Sequence, residues 1–181
     1  MYTGHVAIAL GVRGVRRDLP LWVLVAASQG CDWMEMVFDA TGVRRQASLW
    51  SHAFPFVLVT AGAAAIVAGF WKRSVGAALV VLGVYLSHPV ADLVTGLKPL
   101  WVGGPPVGLH FIERPVPDVI AQSILCVIGW ALYSRSFHPG RAHRLVTLAP
   151  LVVLLWLQGV SDLVVYVRNT ARRSPSGQVT R

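Results

Sequence analysis

Five ionisable residues stand at the ends of apolar stretches in this chain: His5, Asp32, His52, His88 and Asp92. Imidazole nitrogens and carboxylate oxygens are the donors that divalent transition metals take from proteins. In or just beneath a bilayer such groups cost kilocalories unless a partner, water or an ion compensates them. The tightest pair lies in the run Ser87-His-Pro-Val-Ala-Asp92. Four residues apart on a helix, His88 and Asp92 project from one face on successive turns and can offer a nitrogen and an oxygen to the same ion. Pro89 removes a backbone donor there and should loosen the helix, and carbonyls freed within a membrane find partners only where backbone lines protein or a hydrated cavity.

Each residue also has a plainer explanation. His52 follows Trp50 and Ser51, so it could be an interfacial histidine beside an aromatic belt residue, with Ser51 as an N-cap. His5 could be a surface residue near a terminus. Asp32 is harder to dismiss, because an unpaired buried carboxylate is strongly penalised and needs a cation or a basic neighbour. Asp32 and Glu35 share a helical face, while Asp39 marks an interface. The reading depends on whether the five meet.

The elements that would position them are transmembrane. The chain has 181 residues, 55% of them hydrophobic and only 13% charged, with a mean hydropathy of +0.59. A soluble domain carries about a quarter charged residues. A short apolar piece covers about 3–12, too short for a hydrocarbon core that needs about 20 residues. Helices are then expected over about 20–39, 51–71, 74–96, 118–134 and 145–167, with a Pro/Gly-rich stretch at 98–117 that cannot hold a regular helix. The expected fold is all-α, a polytopic transmembrane bundle of about five to six helices. Residues 1–167 would form a single integral-membrane domain, followed by a flexible basic tail at 168–181. No cleavable signal peptide is expected.

If the helices cross in turn, the end of the first long helix, the start of the second and the end of the third share one membrane side. Asp32, His52, His88 and Asp92 then fall together, and His5 joins them if the short first piece runs inward from that side. The same parity places the 98–117 loop over this face and brings Asp118, Gln122, Gln158 and Asp162 near it. His138 and His143 go to the opposite, basic loop. His110, in the covering loop, is a candidate extra ligand or substrate contact, and Asp162 is an intramembrane acid. The net charge of +8 is dispersed in small groups between apolar segments, as in loops that touch anionic headgroups, so membrane lipids rather than nucleic acid are the expected partners. Cys31 and Cys126 lack metal-knuckle spacing and read as packing residues.

These residues, taken in order, resemble a family. Gly4-His5, an aspartate closing the second apolar segment, Trp50-Ser-His52 and Gly83-Val-Tyr-Leu-Ser-His-Pro-Val-Ala-Asp92 resemble the YdjM-like family of inner-membrane-bound metal-dependent hydrolases. Pro99-Leu-Trp-Val-Gly-Gly-Pro-Pro-Val-Gly-Leu-His110 is similar to the loop that follows its Ser-His-x-x-x-Asp motif. The likeness covers roughly residues 3 to 133. It implies a bacterial inner-membrane protein with metal ligands at His5, Asp32, His52, His88 and Asp92. Two departures stand out: Ala53 replaces a hydroxyl residue after the histidine, and Cys31 replaces a proline before the first aspartate.

Three functions are open on these grounds. One is a metal-dependent hydrolase acting on an ester or phosphoester of a lipid or amphipathic substrate. Its ion would be zinc, manganese or iron rather than calcium, which prefers all-oxygen ligands, with Glu35 or Asp118 as base. The second is a metal or proton transporter, against which the apolar opposite half of the bundle weighs. The third is a scaffold with a structural metal.

Overall fold

The computed structural model describes residues 2–42, 50–136 and 141–173. Among the described residues seven α-helices carry the fold: α1 (Tyr2–Val15), α2 (Leu21–Ser28), α3 (Gly30–Ala40), α4 (Phe54–Lys72), α5 (Val75–Thr95), α6 (Pro115–Ser134) and α7 (Arg141–Arg173). Between α5 and α6 lie two paired dipeptides, β1 (Lys98–Pro99) and β2 (Pro106–Val107), and a 3-10 turn at Phe111–Glu113. The chain is an all-α polytopic membrane bundle with, among the described residues, four candidate transmembrane helices, Phe54–Lys72, Val75–Thr95, Val116–Ser134 and Thr147–Val167. That is fewer than the five or six expected. The reason is length: α1 has 14 residues, and at 1.5 Å per residue it falls well short of a hydrocarbon core about 30 Å thick.

The expected helix over about 20–39 is also broken. It interrupts at Gln29, whose backbone (φ −104°, ψ 7°) leaves the helical region and separates α2 from α3. Immediately after the break, Gly30 faces the Tyr85 ring of α5 so closely that any side chain there would overlap it. The last helix is longer than expected, reaching Arg173; residues 174–181 lie outside the described residues.

Local sequence explains the joints. Ser74 caps α5 by accepting from the Ala77 amide at 3.3 Å, and Arg73, left-handed at φ 49°, ends α4 one residue earlier. The two helices thus form a tight hairpin, packed through small residues: Ala61, Ala65 and Ala68 of α4 and Ala77 of α5 are buried. α1 lies most extensively along α6, where Gly14 and Gly129 let the backbones touch; a Cβ on Gly129 would overlap the Ala7 carbonyl. The outward faces are apolar, with Val59, Val67, Phe70, Leu79, Ile120, Ile124, Val152 and Trp156 all exposed. A surface this apolar belongs in lipid.

The loop over residues 96–114 is held down on the ends of α4 and α5. The Leu109 amide donates to the Leu93 carbonyl at 2.8 Å, and the Phe54 amide donates to the Leu100 carbonyl at 2.8 Å. Gly108, at φ 152°, passes so close to the Gly96 carbonyl that only glycine fits. This loop roofs one end of the bundle.

Candidate metal centre

Under that roof the structure brings together all five residues singled out by type and position. His5 comes from the first turn of α1, Asp32 from the start of α3, and His52 from the turn before α4. His88 and Asp92 come from the last two turns of α5. His5 and His88 are fully buried, His52 and Asp92 nearly so, and Asp32 is partly exposed.

Four donor atoms converge. His52 Nε2 stands 3.2 Å from Asp92 Oδ2 and 3.5 Å from Asp32 Oδ1. His88 Nε2 stands 3.4 Å from Asp92 Oδ2, 3.5 Å from Asp32 Oδ1 and 3.4 Å from His52 Nε2. Donors bound tetrahedrally at about 2.0–2.2 Å stand about 3.3–3.6 Å apart, so these separations suit a common ion. Asp92 also presents its other oxygen, Oδ1, to His5 Nε2 at 3.3 Å, and the His5 ring stacks on His88 with centroids 3.9 Å apart. Among the described residues the donor atoms fall into two groups sharing His88: His5, His88 and Asp92, and Asp32, His52 and His88.

Surrounding contacts aim the imidazoles. At the break between α2 and α3, the Ser28 carbonyl accepts from His88 Nδ1–H at 2.7 Å. With Nδ1 donating to that carbonyl, Nε2 is the nitrogen turned toward the two carboxylates, where either a proton or a metal ion would satisfy it. Fixing a ligand's tautomer through its other nitrogen is the usual role of such a contact. Ser51 Oγ lies 2.8 Å from His52 Nδ1, so Ser51 orients the ligand rather than capping α4, whose N-cap is Ala53. Burial alone would lower the pKa of the His52 imidazole, but hydrogen bonds to Asp32 and Asp92 outweigh it and raise the pKa. The carboxylates demand positive charge at this point.

Two further atoms fit a bound ion. His5 Nδ1, on a fully buried ring, and Asp32 Oδ2 are both buried without a hydrogen-bond partner. Such groups are rare and costly unless something satisfies them. A buried His/Asp cluster therefore forms a site suited to a divalent metal cofactor.

Lys98, in the roof loop, reaches Asp92 Oδ2 at 3.8 Å and was not distinguished by the sequence. Its only signal was a position six residues beyond Asp92, on a strand too short to show a period. Glu35 Oε2 lies 3.5 Å from His52 Nδ1, on the same face of α3 as Asp32. His110 belongs to neither donor group; it sits in a left-handed conformation (φ 56°) before the 3-10 turn. Asp118 and Asp162 lie in a separate buried cluster with Thr3, Gln122 and Gln158. His138 lies outside the described residues, and His143 falls in the first turn of α7.

An apolar cavity of about 260 Å³ opens onto the centre, with His52, Asp92 and Lys98 at its polar end and Phe54, Leu86 and Leu93 among its walls. No protein-family model, curated protein or solved structure matches the chain; what the structure itself shows is a buried His/Asp cluster in a polytopic membrane protein.

Proposed function

We propose that the chain is a membrane-embedded metal-dependent hydrolase acting on an ester or phosphoester of a lipid or amphipathic substrate, with His5, Asp32, His52, His88 and Asp92 as its metal ligands. The observation that carries this reading is the convergence of four lone-pair donors, at 3.2 to 3.5 Å, beside an apolar cavity at one end of the bundle. A divalent ion bound by these residues would supply Lewis acidity and make water acidic enough to be activated near neutral pH. Asp92 turns Oδ2 toward His52 and His88 and Oδ1 toward His5, so both of its oxygens face imidazole nitrogens.

The rest falls to the chain's own groups. The walls of the cavity exclude water from a hydrocarbon tail while its polar end receives the ester. Lys98 attracts an anionic group to that end, which favours a phosphoester over a neutral ester. Glu35, partly exposed and beside His52, takes the proton from water; Asp118 is engaged elsewhere. The motif resemblance to YdjM-like hydrolases supports the same reading and a bacterial inner-membrane location. Transport is less well supported, because a buried apolar cluster including Ala9, Leu19, Leu24, Ala68 and Val81 fills the bundle toward its other end.

The test is turnover of ester and phosphoester lipids by the chain in lipid nanodiscs. Hydrolysis should stop on chelation, return with zinc, manganese or iron, and fall roughly 100-fold or more in Glu35→Gln. Hydrolysis indifferent to chelation, or none with any of the three metals, would refute the proposal.

A further inference from the structure

Beside the metal centre lies a second polar cluster that the hydrolytic chemistry leaves unused. Asp118 and Gln122 on α6, Gln158 and Asp162 on α7, and Thr3 on α1 are all buried, Asp118 at 2% and Asp162 at 7% exposure. Gln158 Nε2 donates to Asp162 Oδ2 at 2.7 Å and to Asp118 Oδ2 at 3.3 Å, so one amide nitrogen ties the two carboxylates together. Gln122 Nε2 adds a donor to Asp118 Oδ2 at 2.9 Å. On the far side of the amides, Thr3 Oγ1 meets both Gln122 Oε1, at 2.8 Å, and Gln158 Oε1. A hydroxyl has one hydrogen and can serve only one of them.

The network is short of donors and of positive charge. Asp118 Oδ1 is buried with no hydrogen-bond partner, and among the described residues no lysine, arginine or histidine pairs with Asp118 or Asp162. Two adjacent carboxylates in a membrane bundle with no counter-charge carry a steep desolvation cost. They also line a cavity of about 360 Å³, shared with Thr95 and Ile112. That space is far larger than a bare ion needs. The amide oxygens, which a bare ion would want, point instead to Thr3. What the cavity offers is carboxylate acceptors, and the complementary ligand is a positively charged group with several N–H donors.

We propose that this cavity binds a primary ammonium group, such as the headgroup of an aminated phospholipid. It neighbours the metal centre: Thr95 lies one turn beyond Asp92 on α5, and Thr3 two residues before His5 on α1. The inference rests on the proposed hydrolase only in taking the ligand as part of the same lipid; the site itself needs no metal.

The experiment is native mass spectrometry of the chain with phosphatidylethanolamine or phosphatidylcholine of identical acyl chains, with metal content measured in parallel. The primary ammonium should be retained about tenfold more than the quaternary one, which has no N–H to donate. Asp118→Asn and Asp162→Asn should each erase that preference while metal content stays at the wild-type level. Competition by free ethanolamine separates the sources: displacement of the lipid at equal concentration assigns the site to a soluble amine, and no displacement assigns it to the headgroup on its lipid. Equal retention of the two lipids by the unaltered chain overturns the proposal, and needs no variant to fold. So does an undiminished preference in both variants. Loss of hydrolysis with the preference intact counts against the hydrolase alone.

Discussion

His88 shows how much one side chain must do in this site. Its Nδ1–H is committed to the Ser28 carbonyl and its Nε2 faces Asp32, Asp92 and His52, so the ring is both tethered and aimed. His52 depends on Ser51 in the same way. Ser51→Ala should weaken metal affinity roughly 10- to 100-fold with little change in thermal stability, read by competition with a chromophoric chelator. Metal binding should also release protons, since the carboxylates raise the His52 pKa and the ion must displace that proton. Affinity should therefore rise with pH through the histidine range and fall as the solution is acidified. Calorimetry in buffers of different ionisation enthalpy measures the released protons directly, and a binding heat independent of buffer would contradict this. The ligand types were legible from the sequence because histidine and aspartate are expensive in apolar surroundings. Ser51 was misread as a cap, because a serine before a helix fits both roles until the imidazole's direction is known.

At the scale of elements, the site depends on a helix too short to cross a bilayer. α1 delivers His5 because Gly14 and Gly129 allow it to lie against α6 with backbones in contact. Gly129→Ala should force the pair apart, cost about 1–3 kcal/mol of stability, and weaken metal binding by displacing His5. Retained metal affinity alongside a lowered melting temperature would detach His5 from the ligand set. The alternation of crossing directions was enough to predict which residues share an end, since helix ends follow from hydropathy and punctuation by Pro and Gly. The break at Gln29 was not legible, because the run from Leu21 to Ala40 holds no proline and the close packing of Gly30 on Tyr85 is a tertiary fact. For the same reason Thr3 gave no warning of its place beside Gln122 and Gln158, more than a hundred residues away.

The whole molecule has one chemical end and one plain end. The metal centre, the roof loop and the acidic cavity share the first, while the α4–α5 turn at Arg73 marks the second. Cysteines introduced by Gly103→Cys and Arg73→Cys should label from opposite sides of a sealed vesicle with an impermeant maleimide; labelling from the same side would contradict the topology. The central claim is that nitrogen and oxygen donors from four separate elements hold one metal centre, and X-ray absorption at the edge of the co-purified metal, with elemental analysis, tests it most directly. The account predicts about one or two ions per chain in a mixed imidazole and carboxylate shell, with His88→Ala and Asp92→Ala both losing the ion. A purified, folded chain that holds no divalent metal when supplied with it, or a metal whose shell contains no imidazole, would contradict the account.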